Sequence, residues 1–212
     1  LQGDWSSDVC SSDLRVNDLM LAVVAGALGR YLQARGELRP NLALKLLIPV
    51  NLRPYQEEIR LNNEFGAILL KLPLGIADPA ARLAEVRARM DRIKGTPEVL
   101  ANRLILNLAG HLPGWLERLA LRGFGLKATV VMTSVPGPEQ PRFLAGAPVG
   151  RILAWVPQIA GIGIGLSVLS YAGAVTLGVT TDDGTVADPW ELVAGFEAEL
   201  RNLLARARAE PG

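Results

Sequence analysis

Val16, Leu19, Met20, Val23, Val24, Ala27, Leu28, Tyr31 and Leu32 are apolar residues recurring at helical spacing. They predict a mostly buried helix over 16–34 that stops near Gly36. Two continuous apolar runs follow, 43–52 and 65–72, closed by Arg53-Pro54 and by Pro73. Both predict strands, the first an inner one, with the polar stretch 55–62 as the loop between them. Asp78-Pro79 marks a helix start, because a carboxylate caps free backbone N–H groups and proline is tolerated at the first helical position. That helix is expected to reach about Lys94, with Leu83, Val86, Met90 and Ile93 on one face. Helical segments over 97–109 and 115–121 are expected next, separated by Pro113-Gly114.

From Ala128 the period changes. The runs 128–134, 149–156, 162–170 and 175–181 read as strands, the last two joined by Tyr171-Ala172-Gly173-Ala174 as a hairpin. Asp188-Pro189 repeats the earlier cap and opens a final amphipathic helix to about Ala207. No repeat, low-complexity tract or interdomain linker interrupts the pattern. Strands and helices mix without strict alternation, so the expected fold class is α+β, a mixed α/β sandwich, rather than a doubly wound sheet.

Composition narrows the function classes. Half of the 212 residues are hydrophobic, enough for one core and too few for two large ones. Lys plus Arg (22) nearly balances Asp plus Glu (21), so the basic excess of a nucleic-acid footprint is missing. Cys10 is the only cysteine, which leaves residues 15–212 without cysteine-based metal sites or disulfides. Mean hydropathy is +0.25, yet no apolar run approaches the ~18 residues of a membrane span. The expectation is a cytoplasmic protein, with peripheral contact to the inner membrane or lipid inclusions left open.

Several short patterns carry candidate chemistry. Asn17-Asp18 stand where capping residues and first-turn anions are common; an amide there could also donate to a developing oxyanion, though it could not act as a base. Thr133-Ser134-Val135-Pro136-Gly137-Pro138 reads as a rigid strand exit, with Gly137 free to adopt conformations closed to other residues. Asn62-Asn63-Glu64-Phe65-Gly66 suits a turn entering a strand, and Arg53 is either an exposed cation or a phosphate contact. Gly161-Ile162-Gly163-Ile164-Gly165 lacks dinucleotide spacing and instead suggests a strand with one smooth face, open to another backbone or to a long ligand chain. His111 falls where a helix breaks, Asp182-Asp183-Gly184 reads as a turn, and Trp115, Trp155 and Trp190 are too scattered for a base-stacking platform. No metal site is expected.

Three of these patterns, in this order, carry a resemblance: Val16-Asn17-Asp18, then Pro49-Val50-Asn51-Leu52-Arg53 with Asn62 to Gly66, then Thr133 to Pro138. Together they resemble the C-terminal half of the bacterial wax ester synthase / diacylglycerol acyltransferase family, from about Arg15 onward. The resemblance implies one half of a chloramphenicol-acetyltransferase-like fold, with an active-site tunnel between two similar halves. It implies acyl-CoA as co-substrate, diacylglycerol or a fatty alcohol as acceptor, and no metal or redox cofactor. Asn17 and Asp18 become active-site support, with Asn63, Gly66, Ser134, Pro136, Gly137 and Pro138 on the tunnel side. The family's catalytic HHxxxDG motif lies upstream, and His111 stands in no such context, so no catalytic residue is expected within this chain. Two departures stand out: Thr133-Ser134 replaces the usual Ser-Asn, and Asn62 stands where the family more often has glycine. Other readings of the same fold are a condensation-type enzyme acting on carrier-protein thioesters and a non-catalytic lipid-binding or interaction domain.

Residues 4–14 are similar to a translated sequencing-library adapter, every codon of which fits; a genuine polar arm is the alternative. The expected division is therefore a non-native segment over 1–14 and the family domain over 15–212, partnered by a missing N-terminal half of the same chain.

Overall fold

The computed structural model describes residues 13–51, 65–94, 128–158 and 161–209. Expectations for Trp5, Arg53, Asn63, His111, Trp115 and the helical segments over 97–121 lie outside the described residues. The first element, α1 (Asp13–Ala34), starts three residues before the predicted position. Nothing in the run Asp13-Leu14-Arg15-Val16 breaks a helix, so the backbone enters it earlier than the apolar pattern does. At its other end Gly36 adopts a φ of 69°. The N–H of Gly36 donates to the carbonyl of Gln33 and that of Glu37 to the carbonyl of Leu32, a Schellman closure that needs glycine at this position.

Strands β1 (Ala43–Asn51) and β2 (Phe65–Pro73) pair antiparallel, with Leu46 opposite Leu70 and Val50 opposite Gly66. Helix α2 (Pro79–Lys94) follows, capped as predicted: the Ala81 N–H donates to Asp78 Oδ2 at 2.9 Å. Strand β3 (Val130–Pro136) is parallel to β1 on one side. On its other side it runs parallel to β6 (Ile164–Tyr171), and β6 turns through a hairpin into β7 (Ala174–Thr181). The five-stranded sheet therefore has the order β2-β1-β3-β6-β7. A last helix, α3 (Pro189–Ala209), is capped by Asp188, whose Oδ1 accepts from the Trp190 N–H at 2.9 Å.

The three described helices pack with one face of the sheet in a single apolar core. Val23, Val24, Leu46, Leu70, Leu72, Val86 and Val130 are fully or almost fully buried there. Strand alternation sends Leu47, Ala67 and Val131 to the opposite face, where they form a smaller cluster with Val156 and with Ile162, just ahead of β6. The mixed sandwich expected from the sequence is the architecture observed.

One expected strand is absent. Residues 149–158 form no ladder; a two-residue hairpin, β4 (Phe143–Leu144) with β5 (Ala147–Pro148), precedes them. The chain then passes over the second sheet face instead of joining its edge. A Cβ on Gly178 would lie 2.4 Å from the Ala154 carbonyl oxygen, and one on Gly165 would lie 3.3 Å from that of Val156. Ser167 Oγ donates to the Ala154 carbonyl, and Gln158 Nε2 to the carbonyl of Thr180 at 3.0 Å. Side chains thus take over the hydrogen bonds a ladder would have supplied. The alternation read as a strand is real, but it reports packing across a face.

Candidate active-site end of the sheet

The sheet topology brings the three sequence motifs to one end. Strands β1 and β3 are parallel, so Asn51 and Pro136 close them at the same end. Strand β2 is antiparallel to β1, which returns Gly66 to that end beside Val50. Helix α1 lies with Gly29 against the Leu74 carbonyl, just past the end of β2, at the opposite pole. Its first turns, with Asn17 and Asp18, therefore point towards the Asn51–Pro136 end. Clefts at the carboxyl ends of parallel strands are where ligands of open α/β sheets collect.

The capping reading of Asn17 and Asp18 does not survive, since both sit inside α1, past its first residues. Asp18 is 4% exposed, and its Oδ2 lies 3.8 Å from Nε of Arg87 on α2. Asn17 Oδ1 is buried and accepts no hydrogen bond among the described residues. A buried amide oxygen left this way carries a desolvation penalty that a bound donor would relieve.

At the strand exit, Ser134 lies opposite Val168 of β6 and is half-buried. The Gly137 N–H donates to Ser170 Oγ at 3.2 Å, and the Ala172 N–H donates to the Pro138 carbonyl at 2.9 Å. A Cβ on Gly137 would fall 2.1 Å from the Ser170 carbonyl oxygen. Glycine is needed here for close backbone approach rather than for an unusual φ. Pro136, Gly137 and Pro138 thus pin the β3 exit to the end of β6.

Sequence reasoning missed a charged cluster among the three described helices, towards the opposite pole. Arg82 of α2 and Glu199 of α3 are both almost fully buried and form an ion pair, and Arg30 of α1 joins Glu199 from the half-exposed side. Arg82 also donates from Nε to the Ala22 carbonyl at 2.9 Å and from Nη1 to that of Ile76 at 2.8 Å. Burial holds the Arg82 pKa below its ordinary value, against the opposing pull of Glu199. Gly26 makes room for the cluster: a Cβ there would lie 2.5 Å from both Arg82 Nη2 and Glu199 Oε2. The signal was present, because Arg82 precedes Val86 and Met90 at four-residue spacing and Glu199 falls between Phe196 and Leu203 on an apolar stripe.

The other candidates resolve simply. In the alternating run 161–165, Gly165 admits the Val156 carbonyl and Gly163 the Thr185 side chain. Asp182 organises a turn, its Oδ1 accepting from the Gly184 N–H at 3.0 Å. Among the described residues no cluster of His, Cys, Asp or Glu is arranged to hold a metal. A narrow apolar crevice between α1, α3 and β6–β7, lined by Val24, Leu166 and Phe196, offers about 10 Å³. That is little more than one water's worth, so it admits no acyl chain. No helix among the described residues is long and apolar enough to cross a membrane.

Comparison with known families decides the relationship. The model of the WS/DGAT C-terminal domain matches residues 61–204. The chain belongs to this family. A Mycobacterium tuberculosis (strain H37Rv) protein named as a probable diacylglycerol O-acyltransferase is 31% identical over 202 residues, covering 91% of this chain and 42% of its own length. A second relative, from M. tuberculosis strain CDC 1551, is 32% identical over 202 residues, covering 92% of this chain and 43% of its own, and its name carries the same activity. This WS/DGAT chain thus spans less than half the length of these relatives. Among solved structures, the wax ester synthase/diacylglycerol acyltransferase of Marinobacter aquaeolei VT8 overlays with a TM-score of 0.65 at 21% identity, over 91% of this chain and 43% of that one. The epimerization domain of tyrocidine synthetase B gives 0.53 at 13% identity, over 92% and 42%. These likenesses establish the shared acyltransferase-type fold, as expected from the sequence.

Proposed function

We propose that this chain is the C-terminal part of an O-acyltransferase that moves a fatty acyl group from acyl-CoA to diacylglycerol or a long-chain alcohol. The family match over residues 61–204 carries the reading. The convergence of Asn17, Gly66 and Ser134–Pro138 on one end of the sheet supports it. In the proposed step the acceptor hydroxyl attacks the thioester carbonyl, the new C–O bond forms and the C–S bond breaks. The hydroxyl proton passes to a histidine supplied by the upstream half and then to the departing CoA thiolate. Asn17 orients the thioester carbonyl or its oxyanion through its amide N–H, while Asp18, paired with Arg87, ties this part of α1 to α2. Pro136, Gly137 and Pro138 form one tunnel wall. Acyl-CoA enters as co-substrate, and no metal or redox cofactor takes part.

The test compares two proteins. The 212-residue chain incubated with palmitoyl-CoA and a long-chain alcohol or diacylglycerol releases no CoA above background, whereas the product of the uninterrupted gene forms the ester. Turnover by the short chain that disappears in His111→Ala would overturn the division of labour. An uninterrupted protein inert on every acyl-CoA and acceptor pair would overturn the reaction.

A further inference from the structure

Consecutive residues where β6 turns into β7 hold the whole exit of β3. Ser170 Oγ accepts from the Gly137 N–H, the Ala172 N–H donates to the Pro138 carbonyl, and Tyr171 reaches further along to Arg142. The Tyr171 hydroxyl acts as a rung in the neck of the β4–β5 hairpin. The Arg142 N–H donates to Oη at 2.8 Å, and Oη donates to the Val149 carbonyl at 2.8 Å. The Val149 N–H closes the ring by donating to the Arg142 carbonyl at 2.8 Å. An ordinary antiparallel pair would exchange both of these bonds directly. Here the phenol replaces one of them, so the neck is tied to the end of β6 as well as to itself. Tyr171 is 5% exposed and uses its hydroxyl both as donor and as acceptor.

The turn is shaped for the same task. Ala172 and Gly173 have φ of 47° and 79°, as the two central residues of a type I′ turn require. Positive φ costs alanine what it does not cost glycine, and the N–H of this alanine is the one that reaches Pro138. Strand alternation sends the side chains of Ser170 and Tyr171 to opposite faces of the sheet. The segment 137–142 is therefore gripped from both faces, at Gly137, Pro138 and Arg142.

We infer that Tyr171 is a positioning residue that sets which acceptor the enzyme prefers, an assignment that rests on the reading of Pro136–Pro138 as tunnel wall. Tyr171 touches no reacting atom. With Ser170 and Ala172 it holds that wall at a fixed distance from the bound acceptor, so a slender long-chain alcohol and a bulkier diacylglycerol meet a surface that does not yield. Without the hydroxyl, Arg142 and Val149 are free to bond to each other directly, which releases the neck from β6 and slackens the wall.

The experiment has two arms. In the 212-residue chain, Tyr171→Phe should speed amide hydrogen exchange at Gly137 and Ala172 roughly ten-fold, although neither amide bonds to Tyr171 itself. In the product of the uninterrupted gene, the same change should shift the ratio of kcat/KM for diacylglycerol over long-chain alcohol about ten-fold. The shift should come through the acceptor KM, with the KM for palmitoyl-CoA unchanged. A loss of folded enzyme scales both rates equally and cannot move that ratio. Should Tyr171→Phe lose its native circular dichroism, Ser170→Ala, which takes the acceptor from the Gly137 N–H, is held to the same shift. Unchanged exchange at Gly137 and Ala172 overturns the clamp, and an unmoved ratio in an active enzyme overturns the assignment to acceptor choice alone. A wild type inert towards both acceptors would instead overturn the reaction, and the role of Tyr171 with it.

Discussion

Asn17 illustrates how one side chain can be judged by what it fails to touch. Its Oδ1 is buried and accepts no hydrogen bond among the described residues, and it sits past the first residues of α1, where no capping role is available. Asn17→Ala should therefore leave the melting temperature of the chain unchanged or raise it, because an unsatisfied polar group is removed from the interior. In the uninterrupted enzyme the same change should lower kcat/KM by roughly 10²–10³, the effect of losing one oxyanion donor. A fall in stability of about 1 kcal/mol, the size of a lost cap, with kcat/KM intact would make Asn17 structural. Gly137 teaches a related lesson: its neighbour Ser170 is distant in sequence, so the reason for glycine was invisible until β3 and β6 were paired.

Helix ends and helix contacts separate what sequence reveals from what it hides. The caps at Asp78 and Asp188 and the stop at Gly36 were legible because each is a local arrangement of a few residues. The Asp78 carboxylate is held below its ordinary value of 3.8, first by the Ala81 N–H and then by Arg206 of α3. A depressed carboxylate stabilises the fold above its unfolded pKa and loses that contribution as pH falls through the folded one. Thermal melts should therefore show stability dropping as pH is lowered through and below 3.8, and Asp78→Asn, which keeps a capping oxygen, should flatten that limb. The Arg82–Glu199 pair escaped notice because its partners come from different helices, so the apolar stripe that each lies on does not show which charge it meets. Arg82→Ala should destabilise the chain by about 3 kcal/mol in urea titrations, since it leaves Glu199 buried with only the half-exposed Arg30. Arg82→Met/Glu199→Leu should recover most of that loss. A double variant as unstable as the single one would mean that the charges specify the helix packing rather than merely tolerate burial. The strand expected over 149–156 failed for a different reason: period-two alternation marks an extended chain with one buried side, and it is silent on whether that chain lies at a sheet edge or across a sheet face.

Taken whole, the molecule places its least local pairing at its centre. Strand β3 joins two antiparallel hairpins, β1–β2 and β6–β7, by parallel pairing on both sides, with Leu46 meeting Val130 and Val130 meeting Ile164. Hairpins of this kind close in about 1–10 μs, whereas parallel partners far apart in the chain wait for long loops to close. Refolding should accordingly proceed through early hairpins and a late closure over β3. Stopped-flow measurements would then find that Leu177→Ala, within the β6–β7 hairpin, mainly slows folding. Val131→Ala, opposite Leu47 on the second face, would mainly speed unfolding. The reverse pattern would put the parallel contacts first. Because β3 is the only described strand binding the two halves of the sheet, a nascent chain released before β3 is made would hold the β1–β2 hairpin with an open inner edge. That edge is a template for pairing with other copies, so the window of synthesis between β2 and β3 is when this fold is most exposed to aggregation.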